Sequence, residues 1–391
     1  MENSKKIKIA LVRGDSLNEW EGMLWENLGD NFEVVGFASE RNLYNDKNLN
    51  YSVKRLPTSS DNFFVSNYKK YINGVFQEMT GMEDELIDFN IAHTAELSYF
   101  YTMQAIRAKE KNKNLKVVAT IWDNSFGRFE YNYWLGLAMP PKYWREKINN
   151  IIKENISGAD MFLPVTEYSK EMLLDYGVPE EKIKILTPAI VMPNDVDDNI
   201  LEEMDLSGKE IYMVVNRMVK EKGVYDVFYG WKIYLHENSD KNKILLIIGD
   251  GPERNNLMRL ASEHSIDASI KFIQQLPNQK VRQLSKHAKC LILGSLATPV
   301  WQEQFGYVLA EAIINNCPVV STYSGAIPEV IGSAGILFSP GNPVELKKAL
   351  VKLDDENTYK TLKENCEIEK KRFEVNKFRE ELSSLYKKLV N

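Results

Sequence analysis

Between residues 298 and 312 the chain reads Thr-Pro-Val-Trp-Gln-Glu-Gln-Phe-Gly-Tyr-Val-Leu-Ala-Glu-Ala, and the placement of its two glutamates has chemical consequences. Gly306 is positioned to open a helix, whose unpaired backbone N–H groups and positive dipole end attract a phosphate. Glu303 precedes that helix, between the aromatic residues Trp301 and Phe305. Glu311 lies five residues inside it, roughly 7 to 8 Å down the axis, about the distance from a diphosphate to the ribose of the same nucleotide. A carboxylate there can accept both ribose hydroxyls. The same position also suits an ordinary glutamate on a solvated helix face, so the spacing alone leaves both readings open.

Two other segments bear on the same chemistry. In the run Asn216-Arg217-Met218-Val219-Lys220-Glu221-Lys222-Gly223, Arg217 and Lys222 stand at one rim of a strand exit. Two cations there could hold a diphosphate and neutralise the charge that builds on it as a glycosidic bond breaks, in place of a metal ion. Solvated charge ahead of a helix is the plainer alternative. Gly249-Asp250-Gly251-Pro252 is a tight turn whose glycines let backbone approach a ligand or simply turn the chain. Neither segment has the GxxxxGK[ST] arrangement of a P-loop nucleotidase.

Such residues need strand ends to hold them. Short apolar, β-branched runs at 7–12, 32–38, 86–93, 116–121, 161–165 and 184–187 predict buried parallel strands. Amphipathic stretches at 61–79, 96–109, 142–155 and 167–176 are long enough for the crossover helices between them. A break rich in proline, asparagine and aspartate spans 187–208, and a second series of strands follows at 211–216, 244–249, 270–273, 290–293, 319–322 and 335–338. The expectation is an α/β protein of two Rossmann-like doubly wound domains, 1–195 and 205–372, with ligands bound where the carboxyl ends of both sheets face a central cleft. A charged amphipathic helix over 373–391 could cross back to the first domain.

With 391 residues, 27% of them charged, and a formal net charge of -6, the chain suits a folded protein of two units and argues against a nucleic-acid partner, which would demand a basic face. Cys290, Cys317 and Cys366 lack metal-binding spacing and read as buried free thiols of a reducing compartment. No apolar run reaches signal-peptide or membrane-span length, so a cytoplasmic location is expected, with peripheral membrane contact at most. Lys142, Tyr143, Trp144, Arg145 and Lys147, beside Ile148, Ile151 and Ile152, could form a basic, aromatic membrane-facing helix that meets a lipid-linked acceptor; an ordinary surface helix with one face in the core fits the pattern too.

Taken in order, Arg217 with Lys222-Gly223, Gly249-Asp250-Gly251-Pro252, Glu303 with Phe305-Gly306 and Glu311-Ala312, Pro318-Val319-Val320, and Gly325 with Pro328-Glu329 resemble the family 4 glycosyltransferases, retaining enzymes of the GT-B fold. The resemblance covers most of the second half and implies a nucleotide-diphosphate sugar donor, a glycan, glycolipid or small-molecule acceptor, and no cofactor or metal ion. It implies that Arg217 and Lys222 bind the donor diphosphate, that Glu311 binds the ribose, and that Glu303 contacts hydroxyls of the transferred hexose. The backbone at Phe305, Gly306, Tyr307 and Val308 would complete the donor pocket, with Gly251 and Gly14 near it.

The first half departs further from the family. Only one glycine, Gly14, follows the first strand where the family often has a pair. His93 ends a strand on the expected acceptor side and is a catalytic candidate, while Trp122-Asp123-Asn124 puts a tryptophan where many relatives carry a histidine. Asn216 likewise replaces a usual glycine. The string Asp195-Val196-Asp197 resembles the metal-binding DxD of a different transferase fold but falls in the expected linker, where solvated charge suffices. A nucleotide-sugar epimerase or sugar phosphorylase on the same fold, or a non-catalytic carbohydrate-binding protein, would use much of the same donor logic.

Overall fold

The computed structural model describes residues 6–58, 77–124, 142–192, 199–238, 242–298 and 301–391, without the side chains of 142–145. The chain divides into two compact units, Met1–Val191 with Glu374–Asn391, and Met192–Phe373. The segment 61–76 of the expected first helix and the Asp195-Val196-Asp197 string lie outside the described residues.

In the first unit six strands form one parallel sheet: β1 (Ile7–Gly14), β2 (Phe32–Ser39), β3 (Val53–Leu56), β4 (Ile91–Ala95), β5 (Lys116–Ile121) and β6 (Met161–Pro164), in the order β3-β2-β1-β4-β5-β6. Helices Phe100–Ala108 and Lys142–Gly158 follow β4 and β5. Because side chains alternate along a strand, β1 feeds two cores. Ala10 and Val12 pack with Ile148 and Ile152 of the Lys142–Gly158 helix, whereas Ile9 and Leu11 pack with Trp25, Phe378, Leu382 and Tyr386. The isoleucines of the suspected membrane helix are thus core residues. Among the described residues no helix is long and apolar enough to cross a membrane.

The terminal helix Val375–Val390 belongs to this unit. Its buried residues, Phe378, Leu382, Leu385 and Tyr386, recur at helical spacing and form one stripe. The Trp25 indole N–H donates to the Tyr386 hydroxyl at 2.9 Å, which pins the stripe to the sheet.

The second unit repeats the plan with β7 (Glu210–Val215), β8 (Lys243–Ile248), β9 (Ile270–Ile273), β10 (Ala288–Leu293), β11 (Val319–Thr322) and β12 (Gly335–Phe338), in the order β12-β11-β10-β7-β8-β9. All pairs are parallel. In each sheet the strand order reverses beside the first strand, between β1 and β4 and between β7 and β10. Ligands of open α/β sheets bind at the carboxyl end of such a reversal.

Three expectations need correction. Residues 184–187 are not a strand; only an isolated bridge joins Phe162 to Ile183, and the chain runs on beyond the short β6. Residues 86–88 form a turn of 3-10 helix, so that strand starts at Ile91. The helix expected from Glu96 begins at Phe100, because Glu96 takes a left-handed conformation, φ +61°, which no helix continues.

Candidate active site

The β7–β10 reversal gathers Lys222, Ser295 and Glu303. Lys222 ends a 3-10 turn, Lys220–Lys222, that Gly223 closes at φ +62°. A Cβ at Gly223 would overlap the Gly294 carbonyl oxygen, so glycine lets this turn press on the end of β10. Lys222 Nζ then reaches Glu303 Oε2 at 2.7 Å and lies 4.7 Å from the centroid of the Trp301 ring. Ser295 Oγ donates to the same carboxylate oxygen at 2.8 Å. Glu303 is 8% exposed, so water screens its attraction to Lys222 less than in a surface pair, and losing either partner leaves a shielded, uncompensated charge.

The backbone of Glu303 is fixed by the turn after β11. Its carbonyl accepts from Ala326 N at 3.0 Å, and a Cβ at Gly325, φ +53°, would overlap that carbonyl. Gly325 therefore seats the glutamate, a role invisible in a motif more than twenty residues downstream. Gly306 caps the helix Tyr307–Ile314 at φ +79°, aiming the first-turn N–H groups of Tyr307 and Val308 out of the helix start. The Phe305 ring is buried against Phe373 and Tyr307, with centroids 6.1 and 5.3 Å away, so only its backbone remains a candidate contact.

About one turn into that helix, Glu311 Oε1 accepts from Arg282 Nη2 at 2.9 Å. Arg282 lies on the helix Asn278–His287 and had no role on sequence grounds. Arg217 is exposed just past β7, with no ion pair among the described residues. Asn216 beside it has both carboxamide atoms shielded from water and without a partner among the described residues. Gly251 sits against the chain itself: a Cβ there would stand 2.5 Å from the Met218 carbonyl oxygen, which accounts for the glycine without a ligand.

The first-unit candidates lie elsewhere. His93 sits inside β4 at 0% exposure, with Nδ1 against the Tyr386 hydroxyl and Nε2 2.7 Å from Thr120 Oγ1. Burial, and then the nearby Arg13 charge, push its pKa well below 6.5. It is a neutral core histidine with both nitrogens occupied, which leaves neither for an acceptor hydroxyl. Gly14 closes β1 at φ +53°. Glu96 Oε1 accepts from the backbone N–H groups of Trp122 and Asp123, at 3.1 and 3.3 Å, and holds the turn after β5. Cys290, Cys317 and Cys366 are free and buried; burial raises the last two to about 12.

Residues 197–372 match the family model for glycosyl transferases group 1. N-acetyl-alpha-D-glucosaminyl L-malate synthase of Bacillus anthracis is 26% identical over 56% of this chain and 57% of its own. D-inositol 3-phosphate glycosyltransferase of Corynebacterium kroppenstedtii is also 26% identical, over 60% of this chain and 54% of its own. These alignments span little more than half of either relative. Among solved structures, a glycosyltransferase from Rickettsia africae superposes with a TM-score of 0.72 at 17% identity, covering 99% of both chains. Anabaena HepE, in complex with UDP and glucose, superposes with a TM-score of 0.68 at 14% identity, covering 98% of this chain and 100% of that one. At such identities the superpositions establish a shared fold.

Proposed function

Since residues 197–372 are a group 1 glycosyltransferase domain on a GT-B fold, we propose that the protein is a metal-independent retaining transferase that moves a hexose from a nucleotide-diphosphate sugar to an acceptor hydroxyl. The observation that carries the reading is the Lys222–Glu303–Ser295 cluster at the β7–β10 reversal, beside the helix start at Gly306. The second unit would bind the donor and the first the acceptor.

The donor diphosphate would lie at the helix start, between Arg217 and Lys222. Lys222, held by Glu303 and over Trp301, would turn its charge to the phosphate. Glu303 would then accept from hydroxyls of the sugar, and Glu311, oriented by Arg282, from those of the ribose. As the anomeric carbon–oxygen bond breaks, the electron pair leaves with the diphosphate, where fixed cations and helix N–H groups stabilise it. The acceptor oxygen bonds to the anomeric carbon on the same face and its proton passes to the departing phosphate oxygen. No second carboxylate is needed, unlike the two-carboxylate glycosidase scheme. Buried His93 has no part in this scheme.

The test pairs binding with turnover. Thermal shifts with UDP-, GDP- and ADP-sugars should single out one base, since a ligand of the folded state raises its melting point. Glu303→Ala and Lys222→Ala should then fold but turn that donor over about 100-fold or more slowly. Turnover at the parental rate in both variants, or an epimerised donor in place of transfer product, overturns the proposal.

A further inference from the structure

We propose that the first unit binds a neutral, hydroxylated molecule at the carboxyl edge between β1 and β4, with the Tyr101 hydroxyl and the Gln77 amide as its direct contacts. That this molecule is the glycosyl acceptor rests on the transfer reading above; that it binds does not.

The place is the first unit's strand-order reversal, the topological counterpart of the Lys222–Glu303 cluster. Gln77 is 4% exposed and Tyr101 1%. The Gln77 amide orientation is fixed, because its Oε1 accepts from Asp15 N at 3.2 Å. Its Nε2 and the Tyr101 hydroxyl are both buried with no hydrogen-bond partner among the described residues. Both side chains border Gly14 at the end of β1: a Cβ there would overlap the Gln77 Oε1 and stand 3.3 Å from Tyr101 Cε1. Each unpaired buried donor costs about 1–3 kcal/mol, so two flanking one strand end await hydroxyl oxygens of a ligand that accept from them. Glu96 adds an independent sign. It is a buried non-glycine at φ +61° at the end of β4, and backbone strain of this kind gathers at ligand sites.

Charge selects the ligand. Arg13 is the one buried cation among the described residues here; its Nε is paired with Glu21 at 2.9 Å and its Nη1 with backbone carbonyls, while its Nη2 has no partner among the described residues, so its single positive charge is largely offset by Glu21. Asp15 and Glu96 add two more buried carboxylates. A phosphate or carboxylate would meet this excess of negative charge, whereas hydroxyl oxygens accept from Tyr101 and Gln77 without it. Burial holds the Tyr101 phenol protonated, its pKa well above the usual 10, so it is a lasting donor.

The experiment uses the full chain, with methyl α-D-glucoside, methyl α-D-mannoside and myo-inositol as probes and glucose 6-phosphate as the charged comparison. Saturation-transfer NMR is run in the presence of saturating UDP, GDP or ADP, whichever the thermal shift selects. At least one neutral probe should bind, and its affinity should fall about tenfold, the loss of one hydrogen bond, in Tyr101→Phe. Gln77→Glu, which keeps the oxygen that serves Asp15, should fall likewise. Nucleotide binding should be unchanged in both, and Tyr101→Phe should melt no lower than the parent, because no described residue bonds to that hydroxyl. No neutral binding up to about 50 mM, far above a millimolar Kd, sinks the inference. So does unchanged binding in Tyr101→Phe, which would mean that the edge holds water only, or tighter binding of glucose 6-phosphate. Nucleotide-sugar turnover that persists in any of these cases leaves the transfer reading standing.

Discussion

At the scale of single residues, Glu303 depends on a neighbour that touches no substrate in the proposed scheme. Ser295 is fully buried and its hydroxyl fixes Glu303 Oε2. Ser295→Ala should lower kcat about five- to tenfold, the worth of one charge-assisted hydrogen bond, while nucleotide affinity by titration calorimetry stays at the parental value. A parallel loss of nucleotide affinity would show that the serine supports the whole site. His93 offers a pH test with a definite sign. Its folded pKa lies below 6.5, so below about pH 6.5 the unfolded chain binds a proton that the folded chain refuses. Stability from this group is complete above that pH and is lost as the pH falls through it, by up to about 1.4 kcal/mol per unit. Urea unfolding between about pH 7.5 and 5 should therefore show a shallower acid decline for His93→Gln than for the parent. From sequence, His93 was indistinguishable from a catalytic histidine. The residues that occupy it, Thr120 and Tyr386, lie 27 and 293 positions away.

Among elements, the central strands were legible because their apolar runs are buried on both faces. The runs at 116–121 and 319–322 coincide with β5 and β11, and those at 270–273 and 335–338 with β9 and β12, edge strands of the second sheet whose residues are still mostly apolar. The edge strand β3 was not, since Val53-Lys54-Arg55-Leu56 carries two cations and buries only Leu56. The terminal helix announced itself through its stripe, but its anchor did not. Tyr386→Phe leaves the Trp25 indole N–H and His93 Nδ1 buried without their partner, and should cost about 2 kcal/mol in urea unfolding with nucleotide affinity unchanged. The turn that carries Lys222 is equally specific. Gly223→Ala adds a Cβ where φ is +62° and the Gly294 carbonyl is in the way, so a loss of about 3 kcal/mol should accompany a drop of at least about tenfold in nucleotide affinity, read by calorimetry. Glycine in the run Lys222-Gly223 was legible as a motif; the strand end that makes it necessary was not.

For the molecule as a whole, the decisive fact is that one unit is continuous in sequence and the other is not. Met192–Phe373 holds its own core around Phe228, Trp231 and Leu350, closed by residues of that segment alone. The first unit is completed only by Glu374–Asn391, whose Phe378, Leu382, Leu385 and Tyr386 join the core of Trp25, Ile9 and Leu11. Ending the chain after Phe373 therefore strips one face of the first sheet and leaves the second unit's core intact. Four large buried side chains, at about 1.5–3 kcal/mol each for full burial, amount to much of the usual 5–15 kcal/mol stability of a domain. Differential scanning calorimetry of the truncated chain should thus lose the transition of the first unit and keep that of the second. The surviving transition should still rise with added nucleotide, by about 2.7 kcal/mol at a hundredfold excess over Kd. If truncation removed the nucleotide-dependent rise as well, the donor site could not reside in Met192–Phe373 alone, and the assignment of Arg217, Lys222, Glu303 and Glu311 to a self-contained donor unit would fall with it.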